Sequence, residues 1–266
     1  MSRKPIGVFD SGLGGLTVVR QIRRQLPREP LIYFGDIARL PYGIKSTRQI
    51  REFSLQNTRF LLKQKVKAVV VACNSSSSAA YSALKHEFDI PIIDVIQPAC
   101  AQALSVTRSG RLGVIGTDAT IHSKVYVRTL KRAGGGLKIY SRACPLFVPL
   151  VEAGWFDDEV TREVIRRYLK PIKAKRIDTL ILGCTHYPLL RKGIEEYMGP
   201  RVRIVDSAEP TVGKLASLLE RNGLSYPGSG RGRLKVFTSD LPRNFIGIGS
   251  RFLGEKLRGV KVIRAW

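Results

Sequence analysis

The chain alternates between short, largely apolar runs and longer amphipathic stretches. Ile6–Asp10, Leu31–Gly35, Ala68–Ala72, Pro91–Asp94, Arg111–Gly116, Leu137–Ser141, Asp178–Leu182, Arg203–Val205, Leu234–Phe237 and Val260–Ile263 read as strands. Between them, helical periodicity fits Leu16–Gln25, Thr47–Lys63, Ser77–Phe88, Pro98–Val106, Thr120–Ala133, Asp157–Ala174, Leu189–Tyr197, Pro210–Arg221 and Asn244–Leu253. Strands that are apolar along their whole length are buried on both faces, as in parallel sheets covered by helices. The repeated β–α order therefore predicts an α/β protein.

A weak internal repeat divides this pattern. Gly7-Val8-Phe9-Asp10-Ser11 is similar to Gly113-Val114-Ile115-Gly116-Thr117, and each opens a half that later delivers a cysteine at a strand end, Cys73 and Cys184. Two similar lobes are expected, each a mainly parallel sheet covered by helices, with the active site in the cleft between them. Residues 1–95 with 207–266 would form the first lobe and 96–206 the second; 223–232, rich in Gly and Ser, reads as a surface loop.

Composition narrows the class. Hydrophobic residues make up 44% of the chain, ordinary for a globular protein. No apolar run approaches the roughly 20 residues a membrane helix needs. Met1–Pro5 leads straight into a strand, which leaves no room for a signal peptide, so a cytoplasmic location and no membrane contact are expected. The four cysteines form no C-x-x-C pair and there are three histidines, so no metal site is expected. The net charge is +24, with Lys and Arg concentrated in 162–176 and 229–266. Such a field attracts anionic substrates or nucleic acid. It is spread over most of the chain, as on an ordinary basic surface, and no nucleic-acid motif accompanies it.

Candidate chemistry sits at the strand tips, because ligands in open α/β sheets bind outside the carboxyl ends of strands. Val69-Val70-Val71-Ala72-Cys73-Asn74 and Leu180-Ile181-Leu182-Gly183-Cys184-Thr185 put a thiol in the same setting twice. Two equivalent thiols suit a pair of acid/base groups that reach one atom from opposite sides. Asn74 and Ser75 follow Cys73 where a helix should begin, and could hold a carboxylate with the helix N–H groups. His186, two residues from Cys184, can serve as its proton partner. Asp10 ends the first strand, where a carboxylate can hold a proton or orient an ammonium group. The glycines of Asp10–Gly15 do not complete G-x-G-x-x-G, since Thr17 stands at the last position, and no P-loop occurs. Cys100 and Cys144 read as inert core thiols, and His86 and His122 as helix residues. Glu152 is an acid in an otherwise apolar run. Asp36 and Pro41-Tyr42-Gly43 follow the second strand on a loop at the same edge.

In combination these segments resemble glutamate racemases, cofactor-independent members of the aspartate/glutamate racemase superfamily. The likeness lies in Phe9–Gly15, Gly35-Asp36 with Pro41-Tyr42-Gly43, Ala72-Cys73-Asn74, Gly116-Thr117 with Ala119-Thr120, Cys144–Glu152 and Gly183–Leu189, and continues more weakly through Phe237-Thr238 and Arg251–Gly254. The resemblance implies interconversion of L- and D-glutamate without a cofactor, supplying D-glutamate for peptidoglycan. It implies that Cys73 takes the α-proton of D-glutamate and Cys184 that of L-glutamate, with Asp10 assisting Cys73, and His186 and Glu152 assisting Cys184. Asp10, Ser11, Pro41, Tyr42, Gly43, Asn74, Ser75, Thr117, Thr120, Thr185 and His186 would bind the substrate, with Asp36 standing further back. The family commonly has Thr where this chain has Ser75, and the serine run to Ser78 is unusual. A homodimer is expected. The competing readings are a related racemase of aspartate, hydantoins or another dicarboxylate, a Cys–His hydrolase, and a binding protein for nucleic acid or a topoisomerase.

Overall fold

The computed structural model describes residues 1–263; Arg264, part of the basic tail, lies outside the described residues. The chain runs β1 (Ile6–Asp10), α1 (Leu16–Gln25), β2 (Leu31–Gly35), α2 (Thr47–Lys63), β3 (Ala68–Val71), α3 (Asn74–Glu87), β4 (Ile92–Asp94), α4 (Ile96–Val106), β5 (Arg111–Gly116), α5 (Asp118–His122) and α6 (Val125–Ala133). It continues through β6 (Lys138–Ala143), α7 (Phe147–Glu152), α8 (Glu159–Lys173), β7 (Thr179–Gly183), α9 (Arg191–Met198), β8 (Arg203–Asp206), α10 (Ala208–Arg221), β9 (Leu234–Thr238), α11 (Phe245–Leu253) and β10 (Val260–Val262).

Among the described residues all strand pairs are parallel and fall into two sheets, of order β10-β9-β2-β1-β3-β4 and β6-β5-β7-β8. The fold is thus α/β with two helix-covered parallel sheets. Strands β1, β2, β3 and β7 are buried at every position, which explains their unbroken apolar sequence. Each sheet contains the same arrangement. The first strand of a half (β1 or β5) lies between the second (β2 or β6) and the third (β3 or β7), so the strand order reverses beside it. That reversal opens a crevice at the carboxyl ends. Cys73 and Cys184 both follow the third strand of their half and stand at these two crevices.

One core joins the sheets. It runs from Leu16, Val19 and Ile22 of α1 through Val212, Leu215 and Leu219 of α10 to Leu180 and Leu182 of β7. Helix α10 packs on both α1 and α4.

Three differences from the periodicity carry information. Helix α3 starts at Asn74 rather than Ser77, because the Cys73 sulfur itself caps it, accepting from the Ser76 N–H at 3.5 Å. The stretch 120–133 is two helices, broken where Lys124 takes a left-handed backbone with φ 55°. Helix α7 was not foreseen: Pro149 interrupts the apolar run 145–151.

Candidate active site

The two crevices face one cavity of about 350 Å³, within the range of small-molecule sites. Both Cys73 and Cys184 line it. Of the other residues singled out by sequence, Ser11, Pro41, Tyr42, Gly43, Asn74, Ser75, Thr117, Glu152, Thr185 and His186 also line it. A more open groove of about 760 Å³ between α2, α3, α4 and α6 touches neither thiol.

The thiols have different surroundings. Cys73 sits between the Ser76 N–H and the Ser11 hydroxyl, each 3.5 Å from its sulfur. Burial, reinforced by the Asp10 carboxylate, pushes its thiol up to about 11, against the opposing pull of the Ser76 N–H and of Ser11, whose hydroxyl oxygen accepts from the thiol. Cys184 lies 4.0 Å from His186 Nδ1, and His186 Nε2 lies 3.0 Å from Glu152 Oε1. Burial disfavours charge on His186, but the Cys184 sulfur and the Glu152 carboxylate outweigh it and raise the imidazole to about 10. His186 is therefore an imidazolium at neutral pH, fixed between a thiol and an acid. The Phe252 ring meets its edge at 5.2 Å, and Asn244 donates to the Glu152 carbonyl, so α11 supports this chain from behind.

Asp10 and Thr120 stand behind the wall rather than on it. The Asp10 carboxylate accepts from the Gly12 N–H at 2.9 Å and from the Thr185 hydroxyl at 3.3 Å, which spans the two halves. Burial raises its pKa, opposed by the His186 charge and these donors. No hydrogen bond links it to Cys73 among the described residues; its influence there is through charge. Thr120 is buried beneath Ser75 and Thr117, accepting from the Thr117 hydroxyl at 3.1 Å, while Ser75 and Thr117 meet at 2.9 Å across the cleft. Asp36 also stands back. It is fully buried, receives the Tyr42 hydroxyl, the Arg39 guanidinium and the Ser239 hydroxyl, and so pins the Pro41–Gly43 loop that forms one wall.

The glycines of the first loop serve close packing. A Cβ on Gly14 would lie 2.6 Å from His186 Nδ1 and closer still to Thr185, and one on Gly43 would lie 2.7 Å from Thr117. Both loops therefore touch the opposite half through a missing side chain.

Leu40, Ile44, Asp118, Pro145, Val148 and Pro149 complete the wall, and sequence reasoning did not single them out. The run from Pro145 to Glu152 holds three of them with Glu152, and its place between a strand and an amphipathic helix was the available signal. Cys100 and Cys144 do not line the cavity; burial pushes both thiols far up, and they fill core positions. Among the described residues, no group of three or more His, Cys, Asp or Glu side chains could hold a metal ion, and no helix is long and apolar enough to cross a membrane.

Two thiols thus meet one cavity from equivalent strand tips of the two sheets. The family profile of Asp/Glu/Hydantoin racemases matches residues 6–215. A glutamate racemase of Geobacter metallireducens is 48% identical over 98% of this chain and 96% of its own. The crystal structure of a glutamate racemase isoform from Bacillus anthracis superposes with a TM-score of 0.95 at 39% identity, covering 99% of this chain and 98% of that one. The glutamate racemase of Francisella tularensis, solved in complex with D-glutamate, matches with a TM-score of 0.93 at 36% identity over 100% of this chain and 99% of that one. On residues, fold and site together, the chain belongs to the Asp/Glu/Hydantoin racemase family.

Proposed function

We propose that this protein interconverts L- and D-glutamate by two-thiol proton transfer at Cα, and so supplies D-glutamate for peptidoglycan. The observation that carries this is the pair of thiols, Cys73 and Cys184, on one cavity of about 350 Å³. With D-glutamate bound, the Cys73 thiolate takes the Cα proton and the C–H electron pair spreads into the α-carboxylate. The Cys184 thiol then returns its own proton to the opposite face. L-Glutamate results, with Cys73 left as thiol and Cys184 as thiolate, which is the state that runs the reverse reaction. The His186 imidazolium stabilises the Cys184 thiolate, and Glu152 holds His186 charged. Ser11 and the α3 N-terminus do the same for Cys73, with Asp10 tuning its charge state. The developing carbanion needs fixed donors in a site that excludes water. Asn74, Ser75, Thr117 and Thr185 offer them. In this reading residues 1–95 with 207–266 and residues 96–206 act as two lobes, each bringing one thiol.

A second reading has one observation in its favour. Cys184, His186 and Glu152 are strung in the order of a Cys–His–acid hydrolase. That reading leaves Cys73 without a role in the same cavity. Incubation with L- or D-glutamate in deuterium oxide, without added cofactor, separates the cases. Racemisation gives loss of optical rotation with deuterium entering at Cα. Exchange with aspartate alone would replace glutamate as substrate. An acyl-enzyme burst with ester substrates and no α-exchange would establish the hydrolase.

A further inference from the structure

Asn74 lines the cavity but is only half engaged. Its Oδ1 accepts the Tyr126 hydroxyl at 2.6 Å, and its buried Nδ2 has no hydrogen-bond partner among the described residues. The two residues come from different halves: Asn74 opens α3 beside the first sheet, and Tyr126 lies in α6 beside the second. An Asn amide presents an acceptor on one side and two donors on the other, and which side faces a site depends on its neighbours. Tyr126 is 2% exposed. Burial above all pushes its phenol well above the ordinary range, so it keeps its proton and can donate. A flipped amide would set Nδ2 against that hydroxyl and leave the phenol proton without an acceptor.

We infer that Tyr126 is a positioning residue for substrate binding: its hydroxyl locks the Asn74 amide with Nδ2 free as a donor to a substrate carboxylate in the cavity. This rests on the proposed action on an amino-acid carboxylate. It also means that the donor is set only when the two halves are together, because the lock crosses between them.

The test is a double-mutant cycle in the full-length protein, with kcat, KM and calorimetric Kd for D-glutamate measured for wild type, Tyr126→Phe, Asn74→Ala and the double variant. Tyr126→Phe should raise KM and Kd about 5- to 20-fold with kcat within about threefold, the pattern of lost uniform binding. The double variant should bind no worse than Asn74→Ala, since Tyr126 acts through Asn74. Asn74→Ala also removes the acceptor that Tyr126→Phe strands, so the comparison stands if the single Phe variant melts low. Unchanged KM and Kd in Tyr126→Phe, or losses that multiply in the double variant, would overturn the assignment. Wild-type binding of glutamate without α-proton exchange would sink the racemase reading alone, and the Kd values would still decide on Tyr126. Failure of wild type to bind glutamate would overturn both.

Discussion

Replacing Glu152 with Gln keeps the shape of the site and removes one charge 3.0 Å from the His186 ring. The size of the effect follows from the geometry. Two unit charges about 4 Å apart in an effective dielectric of about 20 attract by about 4 kcal/mol. The Glu152 side chain is 29% exposed, so solvent screens part of this. An interaction of about 1.5–3 kcal/mol remains, or about 1 to 2 pKa units. His186, raised to about 10 in the native protein, should fall by that much in Glu152→Gln. Nuclear magnetic resonance of ¹⁵N-histidine reads this directly, because the chain has three histidines and the other two, His86 and His122, are exposed. The sign for stability follows. A His with a raised folded pKa stabilises fully below its unfolded value of about 6.5, and the contribution fades as pH rises through about 10. The deficit of Glu152→Gln should therefore be full up to the variant's own His186 midpoint of about 8 to 9 and vanish above about pH 10. Racemisation should hold at neutral pH, where His186 is still charged in the variant, and fall roughly 2- to 10-fold near pH 9, where Cys184 loses its counter-charge. A His186 midpoint that moves less than about 0.3 unit, or a wild-type His186 already neutral at pH 8, would refute the account of charge around Cys184.

Cys73→Ala and Cys184→Ala should each cut racemisation by about 10³-fold or more while melting within a few degrees of wild type. Cys184→Ala should still wash the α-proton out of D-glutamate, and Cys73→Ala out of L-glutamate; exchange with the opposite enantiomer would reverse the assignment of faces. Gly14→Ala places a Cβ 2.2 Å from Thr185 Oγ1 and 2.6 Å from His186 Nδ1, so the Thr185–His186 loop must shift by roughly 1.2 Å to reach ordinary contact. Turnover should fall about 10²-fold with a modest loss of stability, and native kinetics would show that the loops are not in tight register. Asp178 binds the Thr107 hydroxyl and the Arg108 and Ser109 N–H groups at 2.6–2.8 Å. Partial burial alone would raise its carboxyl, but these donors hold it well below the usual range. Asp178→Ala should cost about 1 kcal/mol at pH 7, a deficit that closes as pH falls below about 3; a deficit that persists in acid would point to lost packing instead.

How much was legible in the sequence depended on how local its cause was. Burial on both faces writes itself into a strand as an unbroken apolar run, so β1, β2, β3 and β7 stood out, and with them the strand tips at Cys73 and Cys184. The repeat of Gly7–Ser11 in Gly113–Thr117 reflects strands with the same neighbours in two sheets. What escaped depends on contacts far apart in the chain. The pairing of His186 with Glu152 joins positions 34 residues apart, and that of Tyr126 with Asn74 positions 52 apart. Neither leaves a local pattern. The family resemblance put Thr120 in the substrate site, but the cap at Thr117 turns it under Ser75. Lys124 ends α5 through a backbone angle that its side chain does not announce.

The matched strand orders of the two sheets give each thiol an equivalent place, yet their neighbours differ: Ser11 and a helix cap for Cys73, His186 and Glu152 for Cys184. Enantiomers have equal free energy in water, so their equilibrium constant is one. For a racemase, kcat/KM must then be the same in both directions at every pH and in every active variant. Unequal surroundings for the two thiols can therefore appear only as compensating differences, one enantiomer binding more tightly and turning over more slowly than its mirror image. The equilibrium is indifferent to the fold; under the proposed two-thiol reaction, the unlike neighbours of Cys73 and Cys184 decide which hand of glutamate the resting protein holds.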